Sequence, residues 1–182
     1  MIGARKLVDI LRSKQDNDKS LGQHFLVNDD LIADSVNYGR VSKADHVLEI
    51  GPGPGVLTEA LLARGCQVTA IELDSGAVSH LENIFENEIR TGQLILHSGD
   101  ALKVAWPPDI TKVIANIPYQ ISSPLIDLLT KYLRSHWHEC LERVVLLVQE
   151  EFAERLVMEY ESDVGSLGMT ALLDWQCDIL GK

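Results

Sequence analysis

The stretch that decides the fold is His46-Val47-Leu48-Glu49-Ile50-Gly51-Pro52-Gly53-Pro54-Gly55. "HVLEI" is an apolar run too short for a helix, and "GPGPG" ends it with residues that break both helices and strands. A helical pattern follows over 56–64, closed by Gly65, and then a β-branched run, "QVTAIE" (67–72). Strand, glycine turn, helix and strand make one βαβ unit.

The alternation continues outward. Residues 75–88 read as a helix, "LILH" (94–97) and "KVIA" (112–115) as strands, and 123–134 as a helix with Leu125, Leu128, Leu129 and Leu133 at helical spacing. "RVVLLV" (143–148) reads as a strand, 150–160 as a helix, and 166–176 as a last helix before "CDIL". Upstream, residues 3–14 set Leu7, Ile10 and Leu11 on one helical face. A polar break over 14–20 precedes "LGQHFL", and Asn28 or Asp29 is placed to cap a helix over 30–38. Helices alternating with near-continuous apolar strands predict five parallel strands covered on both faces, an open doubly wound α/β sheet. Such sheets bind ligands at the carboxyl ends of their strands.

Composition narrows the class. A chain of 182 residues suits one domain. No apolar run reaches the length of a membrane span, and no secretory signal is visible in the first twenty residues. Cys66, Cys140 and Cys177 are dispersed and odd in number, which points to a reducing, cytoplasmic compartment. The net charge of −11 counts against a protein whose whole surface grips nucleic acid. Residues 1–20 differ: five bases against three acids leave them at +2 and the remainder at −13. Arg5, Lys6 and Arg12 are the local candidates for phosphate contacts.

Each strand end carries a group suited to ligand chemistry. After the first strand, Gly51-x-Gly53-x-Gly55 lets the backbone turn sharply and approach a ligand, although it departs from the dinucleotide spacing G-x-G-x-x-G. Glu72 ends the second strand, 21 residues past Gly51, where a carboxylate can accept two hydrogen bonds from a ribose diol. Asp74 is placed to cap the next helix. Asp100, in "GDA" after the third strand, can accept from an exocyclic amine, although alone it would pass for a turn residue. After the fourth strand comes Asn116-Ile117-Pro118-Tyr119. An aryl amine is a weak nucleophile because its lone pair is delocalised. The Asn116 side-chain oxygen and a carbonyl at Ile117 or Pro118 can hold the two amine hydrogens and aim that lone pair. Pro118 fixes the backbone and Tyr119 can stack on a base.

The glycine segment, with an acid two residues before Gly51, resembles motif I of the S-adenosylmethionine-dependent methyltransferases. Taken together, "GQHFL", "LEIGPGPGVLT", "IELD", "GDA", "NIPYQISSPL" and "VQEEFAERL" resemble the ribosomal RNA adenine N6,N6-dimethyltransferase family, in order and spacing, from about Leu21 to the end. The resemblance implies a Rossmann-like fold, S-adenosyl-L-methionine as methyl donor and no metal. It also implies dimethylation of two adjacent adenosines near the 3′ end of small-subunit ribosomal RNA, in ribosome biogenesis. By it, His24 and Leu26 line the methionine end of the cofactor, Gly51 and Gly53 its backbone portion, Glu72 the ribose and Asp100 the adenine. Asn116 faces the methyl group, and Tyr119 and Phe25 hold the target base, with Gln23 supporting the loop. Adenine methylation of large-subunit RNA or DNA, and a non-catalytic assembly or transcription factor of the same fold, are the alternatives.

The chain departs from the family pattern in places. His24 stands where Asn is common, Glu150 where Lys is usual, and Val164-Gly165-Ser166-Leu167-Gly168 lacks the family's Arg. Family members continue past "CDILGK" with further strands and a helical domain. The expectation is therefore a basic helix and linker over 1–20 and a catalytic domain over 21–182, carboxyl-terminally truncated. That would leave "RVVLLV" as an apolar sheet edge prone to self-association. His136-Trp137-His138-Glu139-Cys140 has no recognised zinc spacing and reads as a loop, Trp106 reads as a packing anchor, and Glu151 with Arg155 as a surface pair.

Overall fold

The computed structural model describes residues 3–14, 28–135, 141–157 and 176–181. In chain order the elements are α1 (Ala4–Lys14), α2 (Asp29–Tyr38), β1 (His46–Ile50), α3 (Val56–Leu62), β2 (Gln67–Glu72), α4 (Ser75–Ile84), α5 (Glu86–Thr91), β3 (Leu94–Ser98), β4 (Lys112–Asn116), α6 (Tyr119–Ser135), β5 (Arg143–Leu147) and α7 (Glu150–Val157). The five strands form one parallel sheet in the order β3-β2-β1-β4-β5. The strand order reverses between β1 and β4, so the switch point lies beside the glycine segment.

Side chains alternate between the two faces of the sheet. Val47, Val68, Ala70, Ile114 and Val145 join one core cluster, which Leu7 and Val8 of α1, Ile32 and Val36 of α2, Leu57 and Leu61 of α3 and Leu81 of α4 complete. Leu48, Ile50, Ile71, Val113 and Ala115 join the other, closed by Leu125 and Leu129 of α6 and Phe152 of α7. This is the doubly wound arrangement expected from the apolar strands. At the amino ends of the strands, buried Lys112 binds Asp45 at 2.7 Å and Glu142 at 3.0 Å. Burial works against both charges, but the contacts prevail: the Asp45 carboxyl lies below its usual range and the Lys112 ammonium above it.

Several boundaries differ from the sequence expectation. The helix read over 75–88 is two helices, because Phe85 leaves helical geometry (φ −115°, ψ 28°) and buries its ring in the core. α6 begins at Tyr119 rather than 123, starting directly after Pro118, and carries Pro124 within it. α3 stops at Leu62, two residues short of the expected end. In α1 it is Val8, not Ile10, that joins Leu7 and Leu11 in full burial, with Ala4. Asn28 is the cap of α2, its side chain accepting the N–H groups of Asp30 and Leu31. Trp106 is an anchor as expected: its Nε1–H donates to the Ala101 carbonyl at 3.0 Å and its ring lies 5.6 Å from that of Tyr132. Arg155 donates through Nε to the Glu151 carbonyl. The region 136–140, the end of the helix read over 150–160, and all but the last residue of the helix read over 166–176 lie outside the described residues.

Gly55 shows how tightly the glycine segment is built. It has φ +84°, and a Cβ there would lie 2.7 Å from the Phe85 ring and 2.8 Å from Leu81. Gly55→Ala therefore combines left-handed strain with overpacking, a loss of about 2–4 kcal/mol. Urea unfolding of the variant against the parent measures it, and an unchanged midpoint would contradict the packing described here.

Candidate active site

The segment after β1 turns on three glycines of positive φ, Gly51 (+66°), Gly53 (+53°) and Gly55 (+84°). Gly51 N–H donates to the Ile71 carbonyl at 2.9 Å, and Gly55 N–H to that of Pro52 at 2.9 Å. A Cβ at Gly51 would meet nothing within 4 Å, so this backbone faces open space while Gly55 faces the core.

Glu72 closes the segment from the β2 side. Only 4% exposed, it accepts the Gly53 N–H at Oε2 and the Asp74 N–H at Oε1, both at 2.9 Å. Burial raises its carboxyl above the usual range, the two N–H groups pull it down, and Asp74 pushes it up. Asp74 caps α4 by accepting the Ala77 N–H, as its position suggested. Between the two acids, Leu73 is 60% exposed, unusual for a leucine within a folded core segment. The sequence reading passed over it; a large apolar residue between two acids at a strand end was the available signal.

The Gly99 N–H donates to the Glu72 carbonyl at 2.8 Å, which stitches the end of β3 to the end of β2. Asp100 follows, partly exposed. Its Oδ2 pairs with Lys103 Nζ at 3.0 Å and its Oδ1 accepts the Leu102 N–H at 3.0 Å. Lys103 first, and then the Leu102 N–H, hold the carboxyl below its ordinary value.

Asn116 ends β4, half-buried, opposite Leu147 of β5. The Ile117 N–H continues that pairing to the Leu147 carbonyl at 3.1 Å. The Pro118 carbonyl is taken up by α6, accepting from the Ile121 N–H at 3.2 Å and the Ser122 hydroxyl at 3.3 Å. Tyr119 opens α6 with 54% of its surface exposed. Gly51, Gly53, Glu72, Asp100, Asn116, Pro118 and Tyr119 thus all lie at the carboxyl edge of one sheet. Gln23, His24, Phe25 and Leu26 lie outside the described residues.

Residues 14–179 match the family described as Ribosomal RNA adenine dimethylase. The chain belongs to this family. Among its relatives is a protein of Thermococcus gammatolerans named probable ribosomal RNA small subunit methyltransferase A. It is 44% identical over 139 residues, which cover 76% of this chain and 46% of the relative. The dimethylase-family chain therefore spans about half the length of the curated relatives it matches. Among solved structures it is similar to a dimethyladenosine transferase from Plasmodium falciparum, at TM-score 0.67 and 33% identity, covering 82% of this chain and 52% of that one. It also resembles the 23S rRNA methyltransferase ErmE, at TM-score 0.61 and 27% identity, covering 75% of this chain and 52% of that one.

One group in this dimethylase-family site, the acid two residues before Gly51, carried no assigned role in the sequence. Glu49 is 1% exposed beneath the glycine segment, its Oε2 accepting the Thr58 hydroxyl at 2.7 Å. Burial pushes its carboxyl up from an ordinary 4.5 to about 8, Thr58 opposing and the charge of Glu72 assisting. The folded chain then holds a proton that the unfolded chain has lost, and stability falls as pH rises from about 4.5 to about 8. Melting followed from pH 5 to 8 should show that decline, and Glu49→Gln should reduce it, the raised Glu72 carboxyl leaving a remainder of the same sign. A decline of the same size in the variant would assign the effect to another group.

Proposed function

We propose that this chain is the catalytic part of an S-adenosylmethionine-dependent enzyme that dimethylates N6 of two adjacent adenosines near the 3′ end of small-subunit ribosomal RNA, in ribosome biogenesis. The observation that carries the reading is the row Gly51, Glu72, Asp100 and Asn116 along the carboxyl edge of the sheet, one group at the end of each of β1 to β4. The names of the relatives support the substrate class.

The residues present suit the methyl donor. The open space before Gly51 has room for its methionine portion, with Gly53, His24 and Leu26 as further neighbours. Each Glu72 oxygen, after accepting one N–H, keeps a lone pair for a ribose hydroxyl. Leu73 offers apolar surface to one face of the adenine, and Asp100 an acceptor for its amine in exchange for Lys103. Bound there, the donor supplies a methyl group activated on a sulfonium.

The remaining tasks fall to the chain. Tyr119, with Phe25, stacks the target base once it has left the RNA helix. Asn116 Oδ1 accepts one amine hydrogen. The Ile117 carbonyl is the better second acceptor, because that of Pro118 is engaged in α6. With both hydrogens held, the nitrogen lone pair is directed out of the ring plane toward the methyl carbon. Orientation supplies the catalysis, and no strong base is needed.

We further propose residues 21–182 as the catalytic domain and residues 1–20 as a basic arm, with the exposed Arg5 and Lys6 of α1 meeting phosphate. The compartment is the cytoplasm, on the dispersed cysteines; among the described residues no helix is long and apolar enough to cross a membrane. Among the described residues β5 is the outer strand on its side of the sheet, and self-association through that edge is expected. Light scattering at rising concentration tests this, and a constant monomer mass would refute it.

Methyl transfer from labelled S-adenosylmethionine should put dimethyladenosine into unmethylated small ribosomal subunits, and not into large subunits or DNA. Label confined to large subunits would move the substrate to the class of the ErmE-like relatives. Asn116→Ala should lower transfer about a hundredfold or more while leaving cofactor affinity largely intact. Unchanged turnover would remove Asn116 from the mechanism.

A further inference from the structure

We infer that Glu49 is a proton-linked positioning residue for the methyl donor. It braces the glycine segment as a neutral carboxyl in the free protein, and it releases its proton to solvent when a cationic ligand fills the space before Gly51. The inference rests on the reading that this site binds S-adenosylmethionine.

Strand geometry sets Glu49 and Glu72 together. Val47 on β1 and Val68 and Ala70 on β2 point into the same core cluster, so by alternation Glu49 and Glu72 share that face. Glu49 is paired in register with Ala70, two residues before Glu72, which makes the two carboxyls diagonal neighbours on adjacent strands. They are 1% and 4% exposed. Like charges so close and so poorly hydrated do not both persist, and one group keeps a proton.

The surroundings decide which. Glu72 accepts two backbone N–H groups, which favour its anion. Glu49 accepts the Thr58 hydroxyl at 2.7 Å and the Thr58 backbone also favours its anion, but it is completely enclosed and burial outweighs both. On the sides packed around Glu49, β2 presents Glu72, with Asp74 at its end. α3 presents Thr58 and then Glu59, the turn before β2 presents Cys66, and β4 presents the apolar Ile114. α4 brings His80, whose Nε2 lies 3.3 Å from the Pro54 carbonyl of the glycine segment. None of the ion pairs among the described residues involves Glu49 or Glu72.

A ligand bringing positive charge to this loop shifts the balance toward ionised Glu49. Linkage then requires cofactor affinity to rise with pH until Glu49 is already ionised in the free protein. Glu49 also joins β1 to α3 across the glycine turn, so its charge state bears on the backbone that the ligand meets.

Calorimetric titration of the chain with S-adenosylmethionine from pH 6 to 9, in two buffers of different ionisation enthalpy, tests this. The expected result is release of about one proton per ligand near pH 6–7, affinity tightening about tenfold per pH unit, and levelling above the Glu49 midpoint. Glu49→Gln keeps the shape and the Thr58 contact; it should bind with no proton release and with pH-independent affinity. Thr58→Ala should move the midpoint of the wild-type profile upward, which gives a second readout if Glu49→Gln folds poorly. Binding with no proton release, or the same release from Glu49→Gln, would overturn the inference and leave the cofactor reading standing. No binding at any pH would overturn both.

Discussion

The hydrogen bond from the Gly53 N–H to the Glu72 carboxylate, 2.9 Å long and nearly out of contact with water, holds the site together. It ties the turn after β1 to the end of β2, and the same carboxylate fixes the Asp74 N–H at the start of α4. The main chain of Glu72 extends the tie by accepting the Gly99 N–H from the end of β3. Three strand ends are thereby set relative to one residue, through its side chain and its main chain. A charge-bearing group can be held there because backbone donors stand in for the water it has lost.

The sheet around this point obeys a second constraint. A parallel sheet covered on both faces needs apolar side chains pointing both ways, and Val47, Leu48 and Ile50 of β1 with Val113, Ile114 and Ala115 of β4 supply them. Glu49 breaks that rule in the middle of the core. It is tolerated through its bond to Thr58 and through a strongly raised affinity for a proton. Local violations of otherwise consistent design tend to gather at functional sites, and this one lies directly under the glycine turn. At the opposite end of the strands, Lys112 with Asp45 and Glu142 is a paired cluster that joins the amino ends of β1, β4 and β5.

The comparisons and the geometry bear on different questions. Family membership follows from the match over 14–179 and gives the class of chemistry to consider. The geometry addresses which atoms are free to act. It engages the Pro118 carbonyl in α6, opens the space before Gly51, bares Leu73 and occupies Asp100 with Lys103. A motif string carries none of these distinctions.

By itself the sequence determined the strand and helix alternation, the parallel doubly wound sheet, and the residues after each strand that deserved inspection. These are legible because apolar period, glycine and proline act locally and leave marks in the residues themselves. Tertiary structure alone decided that Phe85 would break one helix to fill the space against Gly55, that α6 would start at Tyr119, and that Val8 rather than Ile10 would be fully buried. It alone also brought Glu49 to Thr58, nine residues on, and beside Glu72 on the neighbouring strand. Packing space, and the electrostatics of a carboxyl removed from water, depend on groups that come together only when the chain folds, so no local reading of residue types could have supplied them.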